Sequence, residues 1–333
     1  ALSGSFAGAD AETSTRLLKD LTDDPVRMVA WHGVFMAVTV LIVSGGVKRG
    51  LERALKILMP VLFLLLLFLV VYAAVIGDLR AGLRFLFAPD FSRIDADAVL
   101  KALGQACLSL SVGVGVMVTY GAYLPRSISI PRATAIIAAA DTITALLAGV
   151  AIFPIVAAYG LSPNEGPGLT FVTLPIAFGQ MPFGSLVGTL FFVLLVVAAL
   201  GSSIGILEAL VFWVSARSRK RKWVLAVSVG LLTWVLGIAS ALSFNLWSDF
   251  KPLSRFAPFR DANIFGVVEY VAANLMLPLS VFLVAVFAGW VMDRSSTVDE
   301  LDQGESSAYR RWRFLIRYVA PAAVLATFVA NFA

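Results

Sequence analysis

Of the 333 residues, 59% are hydrophobic and only 14% charged, and the mean hydropathy is +0.90. Ordinary soluble domains carry about 25% charged residues, so this composition excludes a water-soluble globular protein and reads as a polytopic membrane protein. The net charge of +5 does not argue for nucleic acid, because the basic residues fall in short loops between apolar runs, a distribution that membrane topology explains. A single cysteine, Cys107, rules out an intramolecular disulfide, and a single histidine, His32, leaves no histidine cluster for a transition metal.

The chain opens on a polar stretch, Ala1 to Asp24, with neither an initiator methionine nor an apolar signal segment. It reads as an outside loop and as the later part of a longer protein. Windows of about 20 apolar residues then predict eight spans, near 28–47, 56–77, 97–124, 132–159, 184–214, 223–245, 264–292 and 312–332. The connection Arg217-Ser-Arg-Lys-Arg-Lys222 is strongly basic, whereas 161–183 holds no Lys or Arg. By the positive-inside rule the first is cytoplasmic and the second outside. Alternation then places Lys48, Arg49, Arg53, Lys56, Arg126, Arg132, Arg294 and the run Arg310 to Arg313 inside as well, a consistent set.

At the inner end of the second span, Gly50 and Pro60 are separated by nine residues. Proline removes a backbone donor and crowds the preceding turn, and glycine adds freedom, so this end can either unwind or simply kink. The third span carries Ser109-Leu-Ser-Val-Gly-Val-Gly115. In hydrocarbon a helix can break only where the freed N–H and C=O groups meet protein, water or a ligand, and broken helices at mid-membrane hold substrate in many secondary transporters. Close helix packing through small residues fits the same spacing. Ionisable residues at membrane depth are functional candidates by default, and Asp141, Glu208 and Glu269 qualify. Between the fourth and fifth spans, Pro163, Gly166, Pro167, Gly168 and Pro175, with Phe171 and Leu174 interleaved, form a loop too apolar to lie on a plain surface. Ser202 and Ser203 also admit plain helix packing, with each hydroxyl bonded back to the i−4 carbonyl. Ser295 to Ser307 reads as a solvated cytoplasmic connection without an assigned role.

Several strings occur in order: Gln105-Ala-Cys-Leu-Ser-Leu-Ser-Val-Gly-Val-Gly115 followed by Thr119-Tyr-Gly-Ala-Tyr123, Gly166-Pro-Gly-Leu-Thr-Phe-Val-Thr-Leu-Pro175, and Ala198-Ala-Leu-Gly-Ser-Ser-Ile204. Together they resemble the neurotransmitter:sodium symporter family over nearly the whole chain. The resemblance implies an all-α membrane protein with the LeuT-type inverted-repeat transporter fold, coupling amino-acid uptake to sodium entry. The eight spans resemble transmembrane helices 4 to 11, with helices 1 to 3 missing from the sequence and no twelfth helix. The division implied is a loop remnant at 1–27, the end of the first repeat at 28–77, the second repeat at 97–292 with an extracellular hairpin at 160–183, and a cytoplasmic loop with helix 11 at 293–333.

Residue by residue, the resemblance puts Leu108, Ser109, Ser111 and Val114, at the unwound part of helix 6, on the amino acid, joined by Ser203 and Ile206 on helix 8. Val114 stands where the family has a larger residue, which points to a roomier pocket and a medium or large hydrophobic substrate. Ser109 and Asp141 match the first sodium site, and Ala198, Gly201 and Ser202 the second. Gly201 departs from the pattern, because the family has an oxygen-bearing side chain there; the second site is weakened or completed by water. Asp141 lies thirteen residues before Pro154, where the family has an Asn. Ala145, one turn on, replaces both the Ser of chloride-dependent relatives and the acid of chloride-independent ones.

The expectation is therefore that the Asp141 carboxylate supplies the charge that chloride supplies elsewhere, with Gln105 and Ser109 nearby. Sodium is then required and chloride is not. The alternative for Asp141 is a buried charge paired with a basic residue of a missing helix. Glu269 matches the acid of the outer gate, or is a rim residue reaching the aqueous vestibule. Tyr120 and Tyr123 resemble inner gate residues with Glu208 near them, although the acid expected at Ala216 is absent. Gly50 and Pro60 resemble the motif through which helix 5 unwinds, and the 160–183 hairpin would cap the outer vestibule. The partners implied are a small amino acid and a lipid bilayer, that of the cell (inner) membrane, with a homodimer compatible and no nucleic acid. No catalytic residue is expected: a membrane-embedded enzyme needs paired acids, metal ligands or a base beside a nucleophile, and His32 stands alone. A remaining reading is that residues 1–333 by themselves are an inert piece of such a transporter.

Overall fold

The computed structural model describes residues 11–162, 168–301, 304 and 306–330, and every regular element among them is helical. In chain order these are α1 (Ala11–Thr22), α2 (Pro25–Ser44), α3 (Arg53–Ile76), α4 (Leu79–Phe87), α5 (Ala96–Ser109), α6 (Val116–Ala122), α7 (Ile130–Ala158), α8 (Leu174–Gln180), α9 (Gly184–Ser215), α10 (Lys222–Leu242), α11 (Ile264–Tyr270), α12 (Leu277–Val286), α13 (Arg294–Leu301), α14 (Ser307–Phe314) and α15 (Ala320–Ala330). Single π turns extend several of them: Val47–Glu52 leads into α3, Val271–Met276 joins α11 to α12, and Leu315–Val319 joins α14 to α15.

Seven uninterrupted helical stretches among the described residues are long and apolar enough to cross a membrane: Pro25–Ser44, Val47–Ile76, Ile130–Ala158, Gly184–Ser215, Lys222–Leu242, Ile264–Val291 and Ser307–Val329. They coincide with seven of the eight expected spans. The eighth, 97–124, is present as α5 and α6 with a break between them, so neither half alone is long enough.

By contact the chain forms two units, each discontinuous in sequence: residues 1–89 with 143–250, and residues 90–142 with 251–333. In the first unit, α2 packs along α10 and α9, and α3 along α9. Small residues set the spacing, because Gly33 lies beneath the Trp234 indole and Gly237 beneath the His32 ring. His32 is thus a packing residue. The apolar centre of this unit gathers Leu66, Leu69 and Ala73 of α3, Ile155 and Val156 of α7, Leu174, Ala177 and Phe178 of α8, and Val187 and Phe191 of α9. The apolar loop between the fourth and fifth spans therefore folds inward, as a π turn at Leu169–Thr173 followed by α8. The Tyr72 hydroxyl ties it down by donating to the Pro182 carbonyl at 2.5 Å. Pro163, Gly166 and Pro167 lie outside the described residues.

Two stretches read as loops are helical. Ala11–Thr22 alternates polar and apolar residues at helical spacing, buries Ser14, and docks on the Leu169–Thr173 turn and on α2; residues 1–10 lie outside the described residues. The Asp24 carboxylate then accepts the Val26 and Arg27 N–H groups at 3.0 Å each and starts α2 ahead of Pro25. In the second unit, Ser295 to Ser307 is not simply solvated. Arg294–Leu301 forms α13, and the Thr297 hydroxyl is buried against the buried Tyr309 hydroxyl at 2.8 Å. The Arg313 guanidinium donates to both oxygens at 3.1 Å each. Residues 302, 303 and 305 of that segment lie outside the described ones, as do 331–333. Elsewhere in the second unit α5, α12 and α15 are in mutual contact.

Candidate functional site

Helix α5 begins conventionally, with the Asp95 carboxylate accepting the Ala98 N–H at 2.8 Å. The ladder runs to Leu110, whose N–H reaches the Ala106 carbonyl at 3.2 Å. There the regular helix stops. Ser111 takes φ 53° and Gly115 φ 85°, a left-handed region that glycine enters freely and serine only at a cost. Within the turn Ser111 N–H reaches the Leu108 carbonyl at 3.0 Å and Val112 N–H the Cys107 carbonyl at 3.2 Å, and the ladder resumes when Thr119 N–H meets the Gly115 carbonyl at 3.0 Å. A helix end leaves its last carbonyls without helical partners, and here that end falls in the middle of a span.

The turn is seated against α12. A Cβ on Gly113 would come within 2.8 Å of the Leu277 carbonyl oxygen and side chain, so only glycine lets the two backbones lie this close. The decisive side-chain contact joins α5 to α7. Ser109, the last residue of α5, donates its hydroxyl proton to the Asp141 carboxylate at 2.7 Å, across 32 residues of sequence. Asp141 is half-buried and Ser109 exposed, so the pair offers oxygen atoms on an accessible face. Leu108, Val114 and half-buried Ser111 surround it in sequence. Gln105, one turn earlier, lines a cavity of about 350 Å³ together with Leu108, Asn274 and Leu277. Ser109, rather than Gln105, is the α5 side chain bonded to Asp141. Tyr120 lies in α6 and Tyr123 at its end, both half-buried, and Glu269 is exposed on α11.

The remaining candidates belong to the first unit. On the unbroken α9 the Ser202 hydroxyl donates to the Ala198 carbonyl at 3.4 Å, the back-bonded arrangement open to any membrane serine. Two oxygens 3.4 Å apart can nonetheless both touch one hard cation at about 2.4 Å. Gly201 beside them has room for a side chain, since a Cβ there would meet the Met59 methyl at an ordinary contact distance of 3.4 Å. Ser203 is half-buried and Ile206 exposed on the same helix. Gly50 is buried in the Val47–Glu52 turn, where a Cβ would collide with the Ile42 carbonyl oxygen, and Pro60 is exposed within α3. The helix is continuous between them.

Sequence reasoning missed the partner of Glu208. Its carboxylate is fully buried and pairs with the Lys222 ammonium at 2.6 Å, joining α9 to the first turn of α10. Lys222 is the last residue of the basic run 217–222, and a charge that marks topology looks the same in sequence as a charge that pairs. The signal available was position, because Lys222 alone of that run lies at the edge of the following apolar span.

Residues 19–333 match the sodium:neurotransmitter symporter family. The chain belongs to that family. This symporter chain is similar to the uncharacterized sodium-dependent transporter YhdH of Bacillus subtilis (strain 168), with 35% identity over 330 residues, 98% of this chain and 72% of that protein. An uncharacterized sodium-dependent transporter of Haemophilus influenzae is 29% identical over 339 residues, again 98% of this chain and 72% of the relative. Among solved structures, MhsT in complex with L-phenylalanine matches with a TM-score of 0.86 and 37% identity, covering 97% of this chain and 72% of that one. The symporter chain therefore has the LeuT-type fold, and its relatives are membrane transporters rather than enzymes.

Proposed function

We propose that this chain couples the uptake of a hydrophobic amino acid to sodium entry by alternating access, with the break between α5 and α6 as the binding element. The observation that carries the reading is the hydrogen bond from Ser109 to Asp141 at the end of α5. It brings a carboxylate and a hydroxyl together beside the break in the helix, oxygen ligands suited to a hard cation. Sodium bound at Ser109 and Asp141 would neutralise the aspartate and stabilise the open turn, and the substrate's charged groups would meet the freed backbone of residues 110–115. Leu108 and Val114 would contact the substrate side chain. The solved relative with L-phenylalanine bound supports a large apolar side chain, and Val114 in place of a larger residue supports a roomy pocket.

A second cation would sit at the Ala198 carbonyl and Ser202 hydroxyl, bound more weakly because Gly201 adds no oxygen. The Asp141 charge makes chloride unnecessary. Tyr120, Tyr123 and Glu269 would act at the gates, and Glu208, clamped to Lys222, would hold α9 against α10.

The test is thermal unfolding of the protein in detergent with a panel of amino acids, in sodium and in potassium. Ligand at a hundredfold excess over Kd stabilises by about 2.7 kcal/mol. Aromatic or branched apolar amino acids are expected to raise the Tm in sodium only. Stabilisation of equal size in potassium would remove the coupling, and a response confined to charged or small amino acids would remove the substrate class.

A further inference from the structure

The span Ile264–Val291 and the helix returning from Ser307 meet in a joint of two π turns, Phe287–Val291 and Leu315–Val319. Gly289 allows the meeting, since a Cβ there would lie 3.0 Å from Arg317 Cα. A π turn displaces a carbonyl from the helical ladder, and the Trp290 indole N–H donates to the Arg317 carbonyl at 3.0 Å. The same indole lies beneath the Arg317 guanidinium, 4.0 Å from the ring centroid, with the Tyr318 ring at 5.8 Å. Trp290 and Tyr318 in turn meet edge to face at 5.7 Å.

The guanidinium is thus held by aromatic rings and not by an acid. No carboxylate pairs with it among the described residues, and its Nε is buried without a hydrogen-bond partner. The surface around it is apolar and open: Phe287, Trp290, Phe314 and Tyr318 are each at least half exposed. On a membrane span, such a surface faces lipid. Its depth follows from Arg313, which is tied to Thr297 and Tyr309. Four residues of helix advance about 6 Å, so Arg317 sits just beyond the polar end of the span, at the interfacial level that tryptophan favours. The density of basic residues from Arg310 to Arg313 assigns this end to the cytoplasmic leaflet.

A cation at the interface without a protein carboxylate attracts the anionic groups of the lipid headgroups. We propose that Arg317 binds the phosphate of an anionic phospholipid of the inner leaflet, its acyl chains lying over Phe287, Trp290 and Phe314. The guanidinium offers a planar fork that matches phosphate oxygens, and Arg310 and Arg311 add the attraction of a basic segment to an anionic surface. A zwitterionic lipid carries its own ammonium beside the phosphate and gains less.

The full chain in neutral detergent, incubated with phosphatidylglycerol or with phosphatidylcholine of matched acyl chains, reports bound lipid by native mass spectrometry. Wild type is expected to prefer phosphatidylglycerol by about tenfold, the factor one charge-assisted hydrogen bond supplies. Arg317→Gln should abolish the preference and Arg317→Lys should retain part of it. A preference that survives in Arg317→Gln overturns the assignment. So does displacement of the lipid by glycerol phosphate, which would make the site one for a soluble anion. Photo-crosslinking of wild type with a phosphatidylglycerol analogue tests the same point without a variant: adducts belong on peptides containing Trp290 or Tyr318, and adducts confined elsewhere refute it.

Discussion

Asp141 places its carboxylate 2.7 Å from the Ser109 hydroxyl on a helix long and apolar enough to span a membrane, where a charge persists only with partners or a bound counter-ion. If that carboxylate replaces chloride, uptake into proteoliposomes continues when chloride is exchanged for gluconate, and a strict chloride requirement in wild type sinks the idea. Asp141→Asn keeps the hydrogen-bonding shape and removes the charge; uptake in gluconate should fall by roughly tenfold or more, a loss of about 1.4 kcal/mol. Gly201 poses the complementary case of an oxygen left out. A Cβ there would meet the end of the flexible Met59 side chain at 3.4 Å, so Gly201→Thr should fit and lower the sodium concentration for half-maximal transport several-fold, by about 1 kcal/mol. An unchanged sodium dependence would take this turn of α9 out of the cation path.

At the scale of elements, one ion pair joins the packed helices α9 and α10. Lys222 to Glu208 spans 2.6 Å with the carboxylate wholly buried, and removing one partner of such a pair strands a charge at a cost of about 3–5 kcal/mol. Lys222→Met should therefore lower the Tm markedly, and Glu208→Gln combined with Lys222→Met should recover most of the loss. Wild-type stability in the single variant would show that packing alone holds the two helices. The start of the second span makes a different statement. Gly50 is buried and tightly packed whereas Pro60 is exposed in a continuous helix, so the prolyl residue weakens the ladder without breaking it. Pro60→Ala should slow turnover more than it alters substrate affinity; equal effects on both would mean that this end does not open during transport.

For the whole molecule, the distribution of charge between loops carries the expectation about sidedness. The positive-inside rule predicts the basic loop 217–222 in the cytoplasm, and since Cys107 is the only cysteine, a Cys107→Ala background carrying Ser218→Cys reports on it directly. An impermeant maleimide should label Ser218→Cys only after the cells are opened. Labelling of intact cells would invert the topology. Each of the two contact units draws together stretches that are distant in sequence.

The number and place of the spans were legible in the sequence, because hydrocarbon thickness imposes a length and a composition on any segment that crosses it. At Leu110–Gly115 the small polar residues and glycines in an apolar run admitted either a break or close helix packing. What sequence left open at that point, between a break and close packing, proved to be both, as Ser111 and Gly115 turn the chain while Gly113 lets it lie against Leu277. Only the tertiary structure decided which charges meet. Lys222 leaves a run of topological charges to pair with Glu208, and Arg317 rests on Trp290, neither of them expected, whereas the approach of Ser109 to Asp141 was expected from the resemblance. Periodicity reports how each helix faces its surroundings, whereas a pair between helices depends on rotation and depth, which are set when the helices pack.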